Sequence, residues 1–442
     1  MFDARTGTTL EVDLEAMDLL LSIREQGVVR EDDIVADPGR PRLCQRSRDR
    51  CVKVVRQLLE LGVLTLPSPS DLAVHRSRRF AEQAKHSPYA PSWPVGSESC
   101  APETVHWAIT YRCEAQCADC YARRHAGRFV QDIETRDALR VIDLLAQWGV
   151  FQLAIGGGEP LERPDLTMIA QHARACGLVV HVTTGRHHVP YSVLERIANG
   201  VTVLQFGIRH EALLRGGASE SASLAGSVGR AQSLGLHVGA NLMLSNTVLA
   251  NFERLIAMLA RAGLRRITLL RYKPPAEPAR WTREDPAPET MRRFERVLAE
   301  AARRHPEIAF RIDCAASFLQ RRLPRHAACS RGIRGCVAAN RILALAPDGS
   351  IFPCSQLAEP HLRAGNILTD DLDAIWMESA VMKRYRLFRE GRAFRESECG
   401  ACRAHGLCGG CRAFARDVWG AEPRCPVSAC AQGESDERRR RP

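Results

Sequence analysis

Between residues 103 and 313 the sequence alternates between short apolar runs and amphipathic segments of helical period. Strands are predicted at TVHWAIT, VFQLAIGGG, LVVHVTTG, VTVLQFGIR, LHVGANLML, RRITLLRY and IAFRID. Helices are predicted over residues 134–149, 165–176, 191–199, 221–234, 251–262 and 287–304. Such alternation produces parallel strands joined by crossover helices. The six strand–helix units predict an α/β fold, a partial (β/α)6 TIM-like barrel.

The loop after the first predicted strand contains Cys113, Cys117 and Cys120 in the spacing C-x3-C-x2-C. Loops that follow the strands carry the chemistry in barrels of this kind. A closed zinc site needs four ligands, whereas three thiolates on an iron–sulfur cubane leave one iron open. The next cysteine, Cys176, is far along the chain, and the predicted barrel offers no C-x2-C partner pair. The motif therefore favours a cluster with an open iron over a zinc ribbon.

The second predicted strand runs into GGGEP at residues 156–160. Together with CEAQCADC, this segment resembles the motifs of the radical S-adenosylmethionine (SAM) family, over about residues 103–317. The resemblance implies a [4Fe–4S] cluster whose open iron binds SAM. It implies reductive cleavage of SAM to a 5′-deoxyadenosyl radical, which abstracts hydrogen from the substrate. An external electron donor such as flavodoxin or ferredoxin is implied as well.

The resemblance also implies which residues seat SAM. They are Gly157, Gly158 and Glu159 near the methionyl amine, Thr183 and Thr184 on the third strand, and Asn241 on the fifth. Two positions depart from the family pattern. Asp119 stands where an aromatic residue or His is usual, and the fourth strand ends in QFGIRHE where a Ser- and Asp-containing end is usual. No catalytic acid or base is predicted.

A second cysteine array near the C-terminus resembles the SPASM extension, which holds two auxiliary [4Fe–4S] clusters. It reads Cys336-x12-Gly349-x4-Cys354, followed by C-x2-C-x5-C-x2-C, where the family usually ends in x3-C. The family's crossed arrangement assigns Cys329, Cys336, Cys354 and Cys411 to one cluster. It assigns Cys399, Cys402, Cys408 and Cys425 to the other, with Cys430 as an alternative to Cys425. Zinc bound by the paired C-x2-C motifs is the competing interpretation.

The chain has 17 cysteines, which in a reducing compartment indicates metal or redox chemistry in place of disulfides. Cys44, Cys51, Cys100, Cys176 and Cys314 have no predicted partner and are expected to be buried as small apolar residues. The net charge of +11 comes from scattered arginines, which does not favour nucleic-acid binding. Without a signal peptide or membrane-spanning run, the sequence predicts a cytoplasmic protein that is not bound to a membrane.

The predicted domains divide the chain into five segments. They are a winged-helix-like or peptide-recognition-like module (1–66), a linker (67–102), the radical SAM barrel (103–317), the cysteine-rich SPASM domain (318–432) and a disordered tail (433–442). The N-terminal module resembles the domain that binds a leader peptide as an added strand. Binding to DNA and a purely structural role are the alternatives for this module.

Three functions remain open at this point. The first is an enzyme that modifies a ribosomally made precursor peptide by crosslinking, thioether formation or oxidative decarboxylation. The second is a side-chain enzyme of tetrapyrroles in heme d1 or alternative heme synthesis, since LCGGCRAFA and EPRCP resemble the tails of those enzymes. The third is a non-enzymatic iron–sulfur redox sensor that binds DNA, an alternative that leaves GGGEP and the barrel unexplained.

Overall fold

The computed structural model describes residues 2–3, 8–9, 101–125, 127–128, 131–322, 335–402 and 408–415. Most of the predicted N-terminal module and linker, and all of the predicted disordered tail, lie outside these residues. Near the N-terminus the structure gives two strands, Phe2–Asp3 and Thr8–Thr9.

A ten-stranded sheet forms the frame of the remaining chain. Its first seven strands are parallel and adjacent in sequence order. They are β1 (Thr104–Thr110), β2 (Gln152–Gly157), β3 (Val179–Thr184), β4 (Val203–Gly207), β5 (His237–Leu244), β6 (Arg266–Arg271) and β7 (Ala309–Ile312). The predicted α/β fold with a parallel, barrel-like sheet is confirmed.

The crossover helices follow the strands. They are α1 (Thr135–Gln147), α2 (Leu166–Ala175), α3 (Tyr191–Ala198), α4 (His210–Ser233), α5 (Asn246–Ala250), α6 (Phe252–Arg261), α7 (Pro278–Glu284) and α8 (Pro288–Arg304). In α1 the buried residues Ala138, Val141, Ile142 and Leu145 recur at helical spacing, so one stripe of the helix packs on the core. Short 3-10 helices lie at Ala122–Arg124, Pro160–Glu162, Cys314–Arg322, Ser355–Leu357 and Pro360–Leu362.

The cysteine-rich region extends the same sheet. Strand β8 (Ile342–Leu345) pairs in parallel with β1, on the side away from β2. Strands β9 (Ser350–Phe352) and β10 (Gly365–Asn366) follow in antiparallel order. Three helices complete the region, α9 (Leu372–Glu378), α10 (Ala380–Arg386) and α11 (Arg392–Arg395). Among the described strands, β7 and β10 are the two ends of the sheet, which therefore does not close on itself.

The two faces of the parallel strands differ in chemistry. On β1, Val105, Trp107 and Ile109 alternate along one face, and each is at most 1% exposed within the hydrophobic core. The opposite face carries His106. Ala154 of β2 is in register with His106 on one side and with His181 of β3 on the other. In the same way, Val203 of β4 is in register with His181 of β3 and with His237 of β5. Three histidines on alternate strands thus share the face that lines the partial barrel.

The structure differs from the sequence-based expectations in several elements. Helix α4 begins at His210, where a start at residue 221 is predicted, and it is kinked at Gly217. Helices α5 and α7 are absent from the prediction. The region after residue 329, expected to have little regular structure, contains the strands and helices given above.

Candidate metal centre

The three-cysteine loop begins directly after β1. The backbone N–H of Cys120 donates to the Cys117 carbonyl at 3.2 Å, and Gln116 has a positive φ of 47°. Cys113, Cys117 and Cys120 are free, half-buried thiols. Burial raises the pKa of the Cys117 thiol, and the neighbouring Cys120 and Cys113 add to this effect. Three soft donors on one short loop fit an iron–sulfur cluster that takes only three protein ligands.

Two glycines hold GGGEP against this loop. The N–H of Gly158 donates to the Thr110 carbonyl at 2.7 Å. A Cβ added at Gly158 would lie 2.1 Å from the Arg112 carbonyl oxygen. At Gly157, where φ is +106°, a Cβ would lie 2.4 Å from the Thr110 carbonyl oxygen. The glycines predicted to approach SAM are thus also required for close packing against the cysteine loop.

Glu159 joins the ends of β2 and β3. Its carboxylate, on a residue only 3% exposed, accepts hydrogen bonds from the Thr184 hydroxyl at 3.0 and 3.1 Å and from the Gly185 N–H at 2.9 Å. The N–H of Leu161 donates to it at 3.1 Å. Burial raises the pKa of Glu159, although these donors oppose the shift. Both Glu159 and Thr184 therefore have structural partners within the loops where they were predicted to seat SAM.

The remaining predicted SAM contacts are on neighbouring strands. Thr183 is half-buried on β3, in register with Gln205 of β4. Asn241 is half-buried on β5, and its carbonyl accepts a hydrogen bond from the Ile208 N–H at 2.9 Å. The structure thus brings the cysteine loop, GGGEP and the end of β3 together, while Asn241 is two strands further along the sheet. The roles of these residues remain predictions.

Asp119, the first departure from the family pattern, lies in a buried ion-pair network. Arg280 of α7 donates to its two carboxylate oxygens at 2.6 and 2.7 Å. The Tyr272 hydroxyl donates to it at 2.6 Å. Burial alone would raise the pKa of Asp119, but the hydrogen bonds from Arg280 and Tyr272 outweigh it and lower the pKa. The residue before the third cysteine is therefore an ionised carboxylate with a dedicated guanidinium partner.

The second departure from the family pattern, the end of the fourth strand, contributes residues to the same ion-pair network as Asp119. His210 and Glu211, from the altered end of the fourth strand, are the first residues of α4. His210 Nε2 lies 3.7 Å from Asp119 Oδ2, and Arg280 also pairs with the Glu211 carboxylate. Asp119, His210 and Glu211 offer ligand atoms within 4.8 Å of one another, but the Arg280 guanidinium already neutralises the two carboxylates. An ion-pair network explains this group better than a metal does.

His187 and Arg209, in the loops after β3 and β4, are also engaged structurally. The Arg209 N–H donates to His187 Nε2 at 3.1 Å, so His187 Nδ1 carries the proton and donates to Glu220 at 2.6 Å. Burial lowers the pKa of His187 despite this carboxylate. His188, beside His187, is exposed.

The described thiols of the tail have thiol neighbours, and the two predicted sets stay predictions. Cys336 and Cys411 are hydrogen-bonded, and this bond lowers the pKa of Cys336. Burial raises the pKa of Cys354 to about 11, with a further contribution from the nearby Cys336. For the second set, burial raises the pKa of Cys408, with added contributions from Cys399 and Cys402. Cys329, Cys425 and Cys430 lie outside the described residues.

Two cysteines without a predicted partner have polar or thiol neighbours. Cys314, at the start of the 3-10 helix after β7, has its pKa raised by burial and by the nearby Asp313, Cys336 and Cys354. Cys176 is half-buried, and its thiol donates to Asp143 at 3.6 Å. Cys176 also packs against the hydrophobic core. The cysteine spacing in the sequence does not group Cys314 with Cys336 and Cys354, because its place beside them results from the position of β7 in the fold.

Comparison with known proteins agrees with this geometry. Residues 107–210 match the radical SAM superfamily, and residues 336–409 match SPASM, an iron–sulfur cluster-binding domain. Mycofactocin maturase MftC of Mycobacterium tuberculosis is 25% identical over 349 residues, which are 76% of this chain and 84% of that protein. The AdoMet-dependent heme synthase of Methanosarcina barkeri is 26% identical over 352 residues, covering 74% of this chain and 96% of the relative. Streptococcus suis SuiB, solved with S-adenosylmethionine, has a similar fold, with a TM-score of 0.64, 14% identity and coverage of 96% and 95% of the two chains.

The open parallel sheet and the three-cysteine loop at its carboxyl end define a radical SAM enzyme. The second cysteine array makes the chain a radical SAM enzyme with a SPASM domain, related to peptide maturases and to AdoMet-dependent heme synthases. Its cofactors are accordingly a SAM-binding [4Fe–4S] cluster, SAM and iron–sulfur binding in the SPASM domain. The third alternative, a non-enzymatic redox sensor, is overturned by these matches. No helix of the described residues is long and apolar enough to cross a membrane.

Proposed function

We propose that this enzyme abstracts hydrogen from a ribosomally made precursor peptide and so forms a crosslink, a thioether or an oxidatively decarboxylated product. The observation that carries the proposal is the likeness to SuiB, whose structure was also solved with its precursor peptide SuiA. That match covers 95% of the chain, and the sequence predicts a peptide-recognition module in residues 1–66. The curated relative MftC, a maturase, supports the same substrate class.

The chain's own residues have defined tasks in this proposal. Cys113, Cys117 and Cys120 hold the SAM-binding cluster, and Gly157 and Gly158 present backbone edges to the amino group of SAM. When bound, the cluster supplies the electron that cleaves SAM, with flavodoxin or ferredoxin as the external donor. The buried Glu159 keeps the loops after β2 and β3 together. The enzyme works in the cytoplasm, where its free thiols stay reduced.

In the tail, we propose two auxiliary clusters. Cys336, Cys354 and Cys411 belong to the first, with Cys329 as the predicted fourth ligand. Cys399, Cys402 and Cys408 belong to the second, completed by Cys425. The contacts among the described thiols support this division. The nearness of Cys314 to the first set makes it the competitor of Cys329.

The first experiment is an iron and sulfide count on protein purified anaerobically and reconstituted, beside a Cys113/Cys117/Cys120→Ala triple variant. Three cubanes correspond to about twelve irons per chain, falling to about eight in the variant with loss of SAM cleavage. About four irons together with bound zinc would remove the auxiliary clusters from the proposal. Absence of iron from the wild type would contradict the proposed cofactor assignment altogether.

A second candidate substrate is a tetrapyrrole carrying carboxylate side chains. The heme synthase match, which covers 96% of that relative, is the observation in its favour. The two candidates are separated by incubating the reconstituted enzyme with SAM and reductant, either with a precursor peptide encoded beside its gene or with the tetrapyrrole. Formation of 5′-deoxyadenosine together with a mass change in the peptide supports the first proposal. A mass change confined to the tetrapyrrole would replace it with the second.

A further inference from the structure

Helix α7 contacts the cysteine loop of the barrel through Arg280. The guanidinium forms a two-point pair with Asp119, which directly precedes Cys120, and it also pairs with Glu211. Arg280 is 7% exposed and Asp119 is 8% exposed, so neither charge is well solvated. Charge-assisted bidentate pairs are the stronger and more directional hydrogen bonds. Arg280 therefore fixes the backbone on the N-terminal side of the third cysteine.

The next residue of the helix contacts the second cysteine array. The Trp281 ring stacks on Tyr272 at 5.6 Å between ring centroids and on Phe414 at 6.2 Å, with interplanar angles of 8° and 18°. The Phe414 N–H donates to the Cys411 carbonyl at 3.1 Å, so this ring belongs to a turn that begins at Cys411. Tyr272, at the other end of the stack, is the residue that donates to Asp119. Trp281 thus links the turn at Cys411 to the network at Cys120.

We propose that α7 positions both cysteine arrays, with Arg280 fixing the Cys120 end of the barrel loop and Trp281 fixing the Cys411 turn of the tail. The proposal rests on the cysteine assignments given under Proposed function. Arg280 and Trp281 are positioning residues, since each acts on a cysteine through another side chain. The two residues are adjacent in a seven-residue helix, and each serves a different array.

The electrostatic part of the proposal predicts a change in reduction potential. In an Arg280→Met variant the Asp119 carboxylate loses its guanidinium counter-ion but keeps the hydrogen bond from Tyr272, beside a residue that carries the SAM-binding cluster. Negative charge close to a cluster disfavours its reduction, so the midpoint potential of that cluster shifts to a more negative value. Loss of the fixed loop geometry weakens SAM binding by roughly 10–100-fold. The signals of the auxiliary clusters stay at their wild-type positions.

A double variant separates charge from packing. Asp119→Asn combined with Arg280→Met removes both members of the pair, which costs less than leaving one buried charge unpaired. We expect its midpoint potential and SAM affinity to return toward wild type. Arg280→Lys, which keeps the charge without the planar fork, gives intermediate values. The matched control is Arg283→Met on the same helix, whose side chain is 61% exposed.

The complementary variant is Trp281→Ala. It removes the stack on Phe414, and we expect altered EPR signals or midpoint potential of the auxiliary cluster at Cys411, with SAM affinity within about twofold of wild type. Trp281→Phe retains an aromatic ring, and we expect its auxiliary-cluster EPR signals to match those of the wild type.

The measurements are made on the reconstituted full chain, after thermal unfolding has shown that each variant is folded. Potentials come from EPR-monitored redox titration and SAM affinity from equilibrium dialysis. The proposal is supported if Arg280→Met changes the SAM-binding cluster and SAM affinity alone, and Trp281→Ala changes the auxiliary cluster at Cys411 alone. Equal shifts of all clusters in both variants, or no shift in either, would overturn it. A wild-type chain without iron in its tail would instead contradict the cysteine assignment, and the iron count reveals this before any variant is made.

Discussion

At the scale of single residues, the three glycines of GGGEP differ in the room around them. A Cβ at Gly158 would overlap the Arg112 carbonyl, whereas a Cβ at Gly156 would meet nothing within 4 Å. We predict that Gly158→Ala displaces the cysteine loop and lowers iron content and thermal stability, while Gly156→Ala leaves both near wild type. Iron analysis and thermal unfolding of the two variants check this prediction. Equal behaviour of the two would show that the close approach of the loops is not required.

The hydrogen bonds of Glu159 support a second prediction at this scale. Each of its carboxylate oxygens accepts a donor, and an amide in the same place would turn an NH2 group toward a backbone N–H. We expect Glu159→Gln to lower the free energy of unfolding by about 1–3 kcal/mol, the usual cost of a buried donor without an acceptor. Chemical denaturation measures the loss. Glu162→Gln, at a less buried position that pairs with Arg186, is the control, and its change is expected to be smaller.

For single residues, motif spacing predicted the positions of the cysteines and glycines but not their partners. Asp119 is conspicuous in the sequence only because it replaces an aromatic residue, and nothing near it in the chain identifies Arg280. The partner comes from a helix more than a hundred residues away, so only the fold reveals it. The grouping of Cys314 with Cys336 and Cys354 escaped the sequence for the same reason.

At the scale of elements, long periodic segments were predicted well and short ones were not. All seven parallel strands from β1 to β7 were expected, because each is an apolar run with an amphipathic helix before or after it. Strands β8 to β10 have two to four residues, too few to show a period, and β8 gains its stability from β1. The glycine pair Gly216–Gly217, where the helix is kinked, concealed the first part of α4, since glycine disfavours a helix interior.

Two histidines of the row described above, His106 on β1 and His181 on β3, give the fold a predictable acid sensitivity. Burial lowers the pKa of His181 to about 3 and that of His106 to about 4. The folded state therefore holds neutral rings, so their contribution is present above about pH 6.5 and is lost as the pH falls toward the folded values. Each such histidine costs about 1.4 kcal/mol of stability per pH unit over that interval.

We predict that His181→Gln flattens the loss of stability between pH 6.5 and 5.5 by about 1 kcal/mol, because the unfolded imidazole is already half protonated at pH 6.5. Glutamine retains a hydrogen-bonding side chain beside Gln152, the residue that contacts His181 at 3.2 Å. Urea unfolding at several pH values measures the effect. His361→Gln, at an exposed position, is the matched control. An unaltered slope in His181→Gln would mean that His181 does not titrate on unfolding.

At the scale of the whole molecule, the two cysteine arrays are expected to lose iron independently. Cys336→Ala should lower the count by about four irons and leave SAM cleavage without substrate intact, since the barrel loop keeps its three thiols. Cys176→Ala, outside both arrays, should retain the full count. Iron analysis and a 5′-deoxyadenosine assay check both. A Cys314→Ala variant with the same loss, beside an unaffected Cys329→Ala, would give Cys314 the fourth position of the first set.

The pairing of β8 with β1 also sets an order of events during synthesis. Strand β1 leaves the ribosome early, but one of its edges gains a partner only after residue 345 has emerged. Pairing over so long a stretch of chain is slow, and a bare edge in the meantime can pair with another chain. The loop that receives the SAM-binding cluster therefore belongs to a strand that is completed late in translation.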